Sequence, residues 1–151
     1  MKDFKNINEI LDFAIGEEQA AVDFYLQMAA KSRIEQTKKI FREFAEEEMR
    51  HKANLTKIRE EGTLKLSDER VRDLKITEYL VDVKPTPDMS YQEALILAMK
   101  KEKAAFRMYS ALAANAADPG VKKLLESLAL EESRHKLRFE IEYDDVIFRE
   151  N

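Results

Sequence analysis

Two stretches of the chain repeat one another at an offset of 84 residues. Residues 7–58 and 91–142 are identical at 17 of 52 aligned positions, and the identical residues include charged, aromatic and histidine side chains. A long stretch that recurs in this way predicts a structural unit that has been duplicated. The fold must therefore be built from two similar units.

Apolar residues recur at spacings of three and four through both repeats, which is the pattern of amphipathic helices. Only 3 Gly and 3 Pro occur among the 151 residues, so little material is present for β-turns. This composition nearly rules out an all-β fold. We expect four long helices: about residues 7–31, about 35–61, from 91 onward, and from 119 almost to the end.

Local signals mark the ends of these helices. Asn6 and Ser90 each stand three residues before a glutamate, which is the pattern of a capping box at a helix start. Gly62 follows the second apolar stripe and suits the left-handed cap at a helix end. Asp118 precedes Pro119, an N-cap followed by proline in the first helical position. These signals predict three helix starts and one helix end.

The connections predict how the helices are arranged. The turns after the first and third helices are short, so each helix pair should form an antiparallel hairpin. Residues 62–89 form a long connection with a helical segment predicted over Ser67–Leu80 and an extended Lys84-Pro85-Thr86-Pro87 stretch. We predict an all-α four-helix bundle of two antiparallel hairpins joined by a long crossover, in a single domain spanning residues 1–151.

The composition of the chain excludes several classes of function. The net charge is −4 and acidic and basic residues are interleaved, so no basic stripe is present to bind nucleic acid. Because the chain has no Cys, disulfides, thiolate metal sites and iron–sulfur clusters are excluded. The longest apolar run, Ala94 to Met99, is too short to span a bilayer. We expect no nucleic acid or membrane partner and a cytoplasmic location.

Polar residues interrupt each of the four apolar stripes. Glu18 and Glu102 lie on the faces of the first and third helices that should point to the core. The second and fourth helices each carry Glu-x-x-His, whose members are neighbours on one side of a helix. Each hairpin should bring its two glutamates to one level, since they are equally distant from the turn. The inward residues are Glu18, Glu48, His51, Glu102, Glu132 and His135.

These six residues predict a dinuclear metal site. Four buried carboxylates require compensating positive charge, and two divalent ions supply it while both histidines stay neutral. A Glu from each of two helices with Glu-x-x-His from the other two is the ligand pattern of di-iron and di-manganese bundles. Glu48 and Glu132 would bridge two ions, and Glu18 and Glu102 would be terminal ligands. We expect two divalent ions per chain, iron or manganese.

Residues near the predicted ligands have less specific signals. Tyr25 and Tyr109 lie two turns beyond the first glutamate of each hairpin, where a phenol could hydrogen-bond a coordinating carboxylate. Core packing explains both tyrosines nearly as well, and the sequence leaves the two roles open. Four other glutamates fall off the apolar stripes and are predicted to be surface charges: Glu17, Glu46, Glu47 and Glu131.

The spacing Glu18…Tyr25 followed by Glu48-Met49-Arg50-His51, repeated as Glu102…Tyr109 and Glu132-Ser133-Arg134-His135, resembles the rubrerythrin-type members of the ferritin-like di-iron family. The resemblance covers both hairpins. It implies a ferritin-like bundle, bound iron, reaction of the reduced centre with peroxide or oxygen, and a homodimer or larger assembly.

The chain departs from that family in two respects. Rubrerythrins proper carry a cysteine-ligated rubredoxin domain that delivers electrons, and a chain without Cys cannot hold one. An external electron-donor protein would be needed. Members of the family also tend to have an additional glutamate shortly after the first one of the third helix. Here the residues that follow Glu102 are Lys103, Ala104, Ala105 and Phe106.

Three functions remain in view from the sequence. The leading hypothesis is a non-haem di-iron oxidoreductase that reduces hydrogen peroxide with electrons from an external donor. The first alternative is a ferroxidase or iron-handling protein of ferritin type, which would use the same centre with oxygen. The second is a metal-stabilised bundle without enzymatic activity that binds a partner through the crossover.

Overall fold

The computed structural model describes residues 3–150, and all regular elements in this part of the chain are helical. The five α-helices are α1 (Ile7–Lys31), α2 (Glu35–Glu61), α3 (Asp68–Leu74), α4 (Tyr91–Ala114) and α5 (Pro119–Glu150), with a 3₁₀ turn at Ile76–Glu78. The predicted bounds of the four long helices are confirmed.

Helices α1 and α2 form an N-terminal hairpin through a three-residue turn at residues 32–34. Arg59 Nε lies 3.0 Å from Asp12 Oδ1, and Lys52 Nζ donates to Gln19 Oε1 at 2.8 Å. The contact between Lys52 and Gln19 is nearer the turn on both helices than the contact between Arg59 and Asp12, so the two helices are antiparallel. The buried apolar residues of this hairpin include Ile10, Leu11, Ala14, Met28, Phe41 and Leu55.

Helices α4 and α5 form a C-terminal hairpin through residues 115–118. The hydroxyl of Tyr91, at the start of α4, donates to Glu142 Oε1 near the end of α5 at 3.1 Å, which makes this pair antiparallel too. Its buried apolar residues include Leu95, Ala98, Leu112, Leu125, Leu128 and Phe139. Both predicted hairpins are confirmed.

The predicted helix ends are confirmed, with one difference in detail. Ser90 forms a complete capping box, in which its hydroxyl accepts from Glu93 N and the Glu93 carboxylate accepts from Ser90 N. Asn6 accepts from the backbone of Glu9, but the Glu9 carboxylate accepts from Lys5 N at 2.8 Å. The Asn6 cap is therefore one half of the predicted box.

The other two ends follow the predicted chemistry. Gly62 closes α2 at a φ of 64°, in the left-handed region where a residue without Cβ is least strained. Asp118 accepts a hydrogen bond from Val121 N through Oδ2 at 2.9 Å, and so caps the start of α5 ahead of Pro119.

The prediction of one helix over Ser67–Leu80 is wrong. Helix α3 ends at Leu74, and Lys75 takes a left-handed φ of 50° before the 3₁₀ turn. Val71 and Ile76 are both buried, although five helical residues would point them about 140° apart. The break at Lys75 changes the chain direction between them and allows both side chains to be buried.

The chain divides into two compact units, one spanning Asp3–Leu74 and the other beginning at Lys75. The first unit contains the N-terminal hairpin with α3, and the second contains the 3₁₀ turn and the C-terminal hairpin. The single domain predicted over 1–151 stays a prediction, and its residues 1, 2 and 151 lie outside the described residues.

Candidate metal centre

The N-terminal hairpin brings together Glu18 of α1 with Glu48 and His51 of α2, which we call the N-terminal triad. The Nδ1 atom of His51 lies 3.1 Å from Glu48 Oε1 and 3.6 Å from Glu18 Oε2. One ligand atom from each of the three residues lies within 4.8 Å of the others. The equal distances of Glu18 and Glu48 from the turn therefore predicted their common level correctly.

The C-terminal hairpin brings together Glu102 of α4 with Glu132 and His135 of α5, which we call the C-terminal triad. His135 Nδ1 lies 3.7 Å from Glu102 Oε2. Ligand atoms of the three residues again lie within 4.8 Å of one another. Each repeat thus places a Glu, and a Glu-x-x-His on the following helix, at one level of its own hairpin.

The triads lie in the apolar cores of their hairpins. All six side chains belong to residues that are at most 3% exposed. Glu18 follows Ala14 by one turn, and Glu48 follows Ala45, so the carboxylates continue the same helical faces as the core residues. Moving an ionised carboxylate out of water costs several kcal/mol unless nearby positive charge compensates it. A bound cation would supply such charge.

The donor set fits a divalent transition-metal ion. Each triad offers carboxylate oxygens and one imidazole nitrogen. The triads offer no sulfur donor, because they contain no Met and the chain has no Cys. Oxygen with imidazole suits iron, manganese and zinc better than soft copper(I). A bound cation would also offset the charge of the paired carboxylates, which side chains confined to apolar surroundings cannot do alone.

Tyr25 and Tyr109 occupy equivalent positions two turns from Glu18 and Glu102. Both are 1% exposed. The ring of Tyr25 meets Phe44 edge-on, with centroids 6.4 Å apart, which holds the phenol in one orientation. Burial of both tyrosines is compatible with either role that the sequence leaves open.

The four glutamates predicted to be surface charges lie outside both triads. Glu46 is exposed, and Glu17, Glu47 and Glu131 are half-buried at the helix edges. Glu47 lies 3.9 Å from Arg50 one turn away. Glu18, Glu48 and Glu132, which follow three of these residues directly in sequence, are buried. Adjacent glutamates on one helix therefore differ in position: one is a candidate ligand in the core and the other lies at the helix edge.

One buried carboxylate was missed by the sequence reasoning. Glu142 of α5 is 4% exposed, accepts from the Tyr91 hydroxyl at 3.1 Å and lies 3.5 Å from Arg149 Nη2. It stands seven residues after His135, so it continues the inward face of α5. That spacing was a usable signal. Tyr91 and Arg149 supply a hydrogen bond and a positive charge to the Glu142 carboxylate, which therefore belongs to the contact between α4 and α5.

Buried carboxylates and an imidazole at one level of each helical hairpin are the residue types with which helical carboxylate–histidine metalloproteins bind their ions. The sequence profile of the rubrerythrin family matches residues 9–143. The chain therefore belongs to the rubrerythrin family, and the ferritin-like helical bundle predicted for it is confirmed. Searches of curated proteins and of solved structures gave no match.

Membership of this family indicates a non-haem iron protein of the di-iron oxidoreductase type. The buried triads provide groups that could hold the metal. In the described part of the chain, no helix has both the length and the apolar character needed to cross a membrane.

Proposed function

We propose that this protein is a di-iron oxidoreductase that reduces hydrogen peroxide with electrons from an external donor protein. The observation that carries the proposal is the duplicated triad, in which each hairpin buries two carboxylates and one imidazole within 4.8 Å. Two equal ligand sets favour two metal ions per chain. The missing cysteines favour a separate protein as the source of electrons.

In this proposal the two triads combine into one dinuclear centre. Glu48 and Glu132 would bridge two ions, Glu18 and Glu102 would each bind one ion, and His51 and His135 would complete the two ligand sets. Manganese remains the alternative metal for this donor set.

Charge balance supports divalent ions in the resting protein. Four carboxylates carry four negative charges, and two divalent cations neutralise them while both imidazoles stay neutral. When bound, two ferrous ions would supply the two electrons that convert one hydrogen peroxide molecule and two protons to two water molecules. An external reductant must then return two electrons for each turnover.

The chain's own residues would confine this chemistry. Apolar residues of the same helical faces, including Leu55 and Phe139 at most 1% exposed, exclude bulk water next to each triad. A low local polarity strengthens the interaction between the ligands and the cations they hold. We assign to Tyr25 and Tyr109 hydrogen bonds to coordinating carboxylates, which would fix the carboxylate orientation.

The proposal also includes a homodimer and a cytoplasmic location. Reduction of peroxide requires a continuous supply of electrons, and the cytoplasm is the compartment kept reducing. The described residues contain no candidate membrane span, which is compatible with that location.

Metal content tests the centre. Protein purified without oxygen and reconstituted with Fe(II) should hold two irons per chain after desalting. Glu48→Ala should lose dinuclear binding because it removes a bridging ligand, whereas Glu47→Ala, one residue away at the helix edge, should keep both irons. Little bound metal of any kind in the unmodified protein would overturn the proposal.

Oxidant choice tests the reaction. Stopped-flow mixing of the diferrous protein should give faster oxidation with hydrogen peroxide than with oxygen at equal concentration. Equal or faster reaction with oxygen, together with catalytic turnover of excess Fe(II), would assign the protein to the ferroxidase alternative. Redox-inactive metal and no reaction with either oxidant would favour the non-enzymatic bundle.

A further inference from the structure

Helix α5 carries an exposed apolar stripe on the side away from the C-terminal triad. Leu130, Leu137, Ile141 and Phe148 are 52%, 58%, 42% and 85% exposed. They follow one another at spacings of seven, four and seven residues, which places all four along one line of the helix. Ser133 and Arg134 lie in one seven-residue gap and Asp144 and Asp145 in the other. Large exposed apolar side chains aligned on one helix face are typical of an interaction surface.

The stripe is symmetric about position 139. Leu130 and Phe148 are each nine residues from that position, and Leu137 and Ile141 are each two residues from it. Two copies of α5 packed antiparallel about a two-fold axis at this level would therefore place Leu130 against Phe148 and Leu137 against Ile141. A self-complementary surface is what an isologous dimer requires.

Among the charges beside the stripe, Arg134 and Asp145 favour the same pairing, whereas Arg138 and Glu140, one residue either side of position 139, would each lie near its own counterpart in the second copy. Arg134 and Asp145 are both exposed and lie along the same edge of the stripe. In the antiparallel pair they would meet across the interface, and the two-fold axis would make this contact twice. A parallel pair would place Asp144 of one copy against Asp145 of the other, and like charges in contact are unfavourable.

The largest of these side chains has a matching groove. Phe148, the most exposed of the large apolar side chains in the described residues, would lie beside Leu130 of the second copy. Leu130 lines an open, mostly apolar groove between α4 and α5, together with Phe106, Ala113 and Ala129. An aromatic side chain entering an apolar pocket is a typical anchor of a protein interface.

We propose that this stripe is the surface through which two copies of the chain associate, with α5 antiparallel to α5 and Phe148 seated beside Leu130. The inference deepens the homodimer of the proposed function. It rests on none of the metal or peroxide chemistry. Its test measures association, so failure here leaves the metal count unaffected, and failure of the metal count leaves association unaffected.

The first test is sedimentation of the full chain over a range of concentrations. The unmodified protein should form dimers. Leu137→Lys should raise the dissociation constant of the dimer at least tenfold, because it places an ammonium group in the apolar interface. Leu26→Lys, at an exposed apolar site on α1 (48% against 58% for Leu137), should leave the dimer intact. Circular dichroism and iron content should stay unchanged in both variants, since both side chains are exposed.

Engineered cysteines test the register, because the natural chain has no Cys to interfere. Mixed Leu130→Cys and Phe148→Cys proteins should cross-link to each other on mild oxidation. Either variant alone should not, since the same residue in the two copies would lie about 27 Å apart. Leu26→Cys measures random collision.

The results decide the assignment in either direction. Dimerisation with the mixed cross-link supports it. A chain that stays monomeric overturns it and leaves the stripe to a different partner. A dimer that cross-links through Leu130→Cys alone, or that tolerates Leu137→Lys, also overturns it, since the copies would then associate in parallel or through another face.

Discussion

At the scale of single residues, the two triads should lower the stability of the metal-free protein and favour the binding of metal. Each holds two carboxylates within 4.8 Å in surroundings that water does not reach. When ionised, these groups would destabilise the metal-free protein through mutual repulsion and desolvation, and a bound cation would reverse both effects. The residues that bind metal best should therefore be those that stabilise the metal-free fold least.

Replacing one triad glutamate tests this opposition. In the metal-free protein, Glu132→Gln should raise the free energy of unfolding by about 1 kcal/mol, a few degrees in melting temperature, because it removes a buried charge. It should abolish the further rise in melting temperature that Fe(II) gives the unmodified protein. Thermal melts with and without Fe(II) provide both values.

Glu131→Gln is the matched control for that experiment. Glu131 precedes Glu132 on α5 but is half-buried at the helix edge. Its replacement should leave both melting temperatures within a degree or two of the unmodified protein. If Glu132→Gln destabilised the metal-free protein, the electrostatic account of the triads would be wrong.

Tyr79 is a second buried polar group whose effect can be measured. Its hydroxyl oxygen is buried and has no hydrogen-bond partner among the described residues, and Arg107 lies over its ring with Cζ 4.3 Å from the centroid. Burial raises the pKa of the Tyr79 phenol, and the charge of Arg107 opposes part of that rise. The phenol is therefore held neutral at pH values where an unfolded tyrosine ionises.

The sign of the pH dependence follows from linkage. Below the ordinary tyrosine pKa, Tyr79 is protonated in both states and gives no pH dependence. Above it, the unfolded chain loses the proton first, so the free energy of unfolding falls as pH rises. Tyr79→Phe should remove this loss while keeping the ring under Arg107. Its stability relative to the unmodified protein should therefore increase between about pH 8 and pH 11, and parallel urea-unfolding profiles would contradict this.

At the scale of the elements, helix ends were the most predictable part of the chain. Ser90, Asp118 and Gly62 act through their own hydrogen bonds or backbone freedom, and each functions in the structure as the sequence predicted. Such local chemistry does not depend on distant contacts. This is why these helix ends could be predicted from the sequence alone.

Two glycines turn this into a quantitative test. Gly62 has a φ of 64°, where an added Cβ is strained, so Gly62→Ala should lower the free energy of unfolding by about 1 kcal/mol. Gly16 lies in the interior of α1 with no neighbouring atom within 4 Å of an added Cβ. Gly16→Ala should therefore raise the free energy of unfolding by about 0.5–1 kcal/mol. Chemical denaturation measures both, and shifts of the same sign would contradict the helix-end assignment.

The crossover was less predictable because its conformation depends on distant contacts. Nothing in the sequence near Lys75 signals a left-handed residue, and a lysine there is not a typical helix terminator. Lys101 donates to the Val81 carbonyl at 3.0 Å, and Arg107 covers Tyr79, so α4 fixes this segment through long-range contacts. Local propensity favoured a single helix there, and tertiary contacts overrode it.

The candidate ligands were predictable for a different reason. A polar residue on an apolar helical face stands out from its surroundings, and duplication showed the same exception twice, at Glu48 and His51 and again at Glu132 and His135. Glu142 has the same periodicity but no counterpart in the first repeat, where Ile58 stands. Occurrence in both repeats therefore distinguishes the candidate ligands from Glu142, whose carboxylate is buried in a helix contact.

At the scale of the whole molecule, the proposed centre would make metal the link between the hairpins. Each triad lies within one compact unit. If both triads bind the same pair of ions, metal should stabilise both units together. Two separate mononuclear sites would instead stabilise each unit by itself. The two arrangements hold the same number of ions, so metal content alone does not distinguish them.

Damage to one triad distinguishes them. In the double variant Glu48→Ala and His51→Ala, a shared centre loses a bridging ligand, so affinity should fall at the intact C-terminal triad as well. Hydrogen exchange should then show no metal-induced protection in α4 or α5, although neither helix was altered. Independent sites would keep one tightly bound ion per chain and full protection of the C-terminal hairpin. That result would retain metal binding but exclude the dinuclear centre, and with it the two-electron reduction of peroxide within one chain.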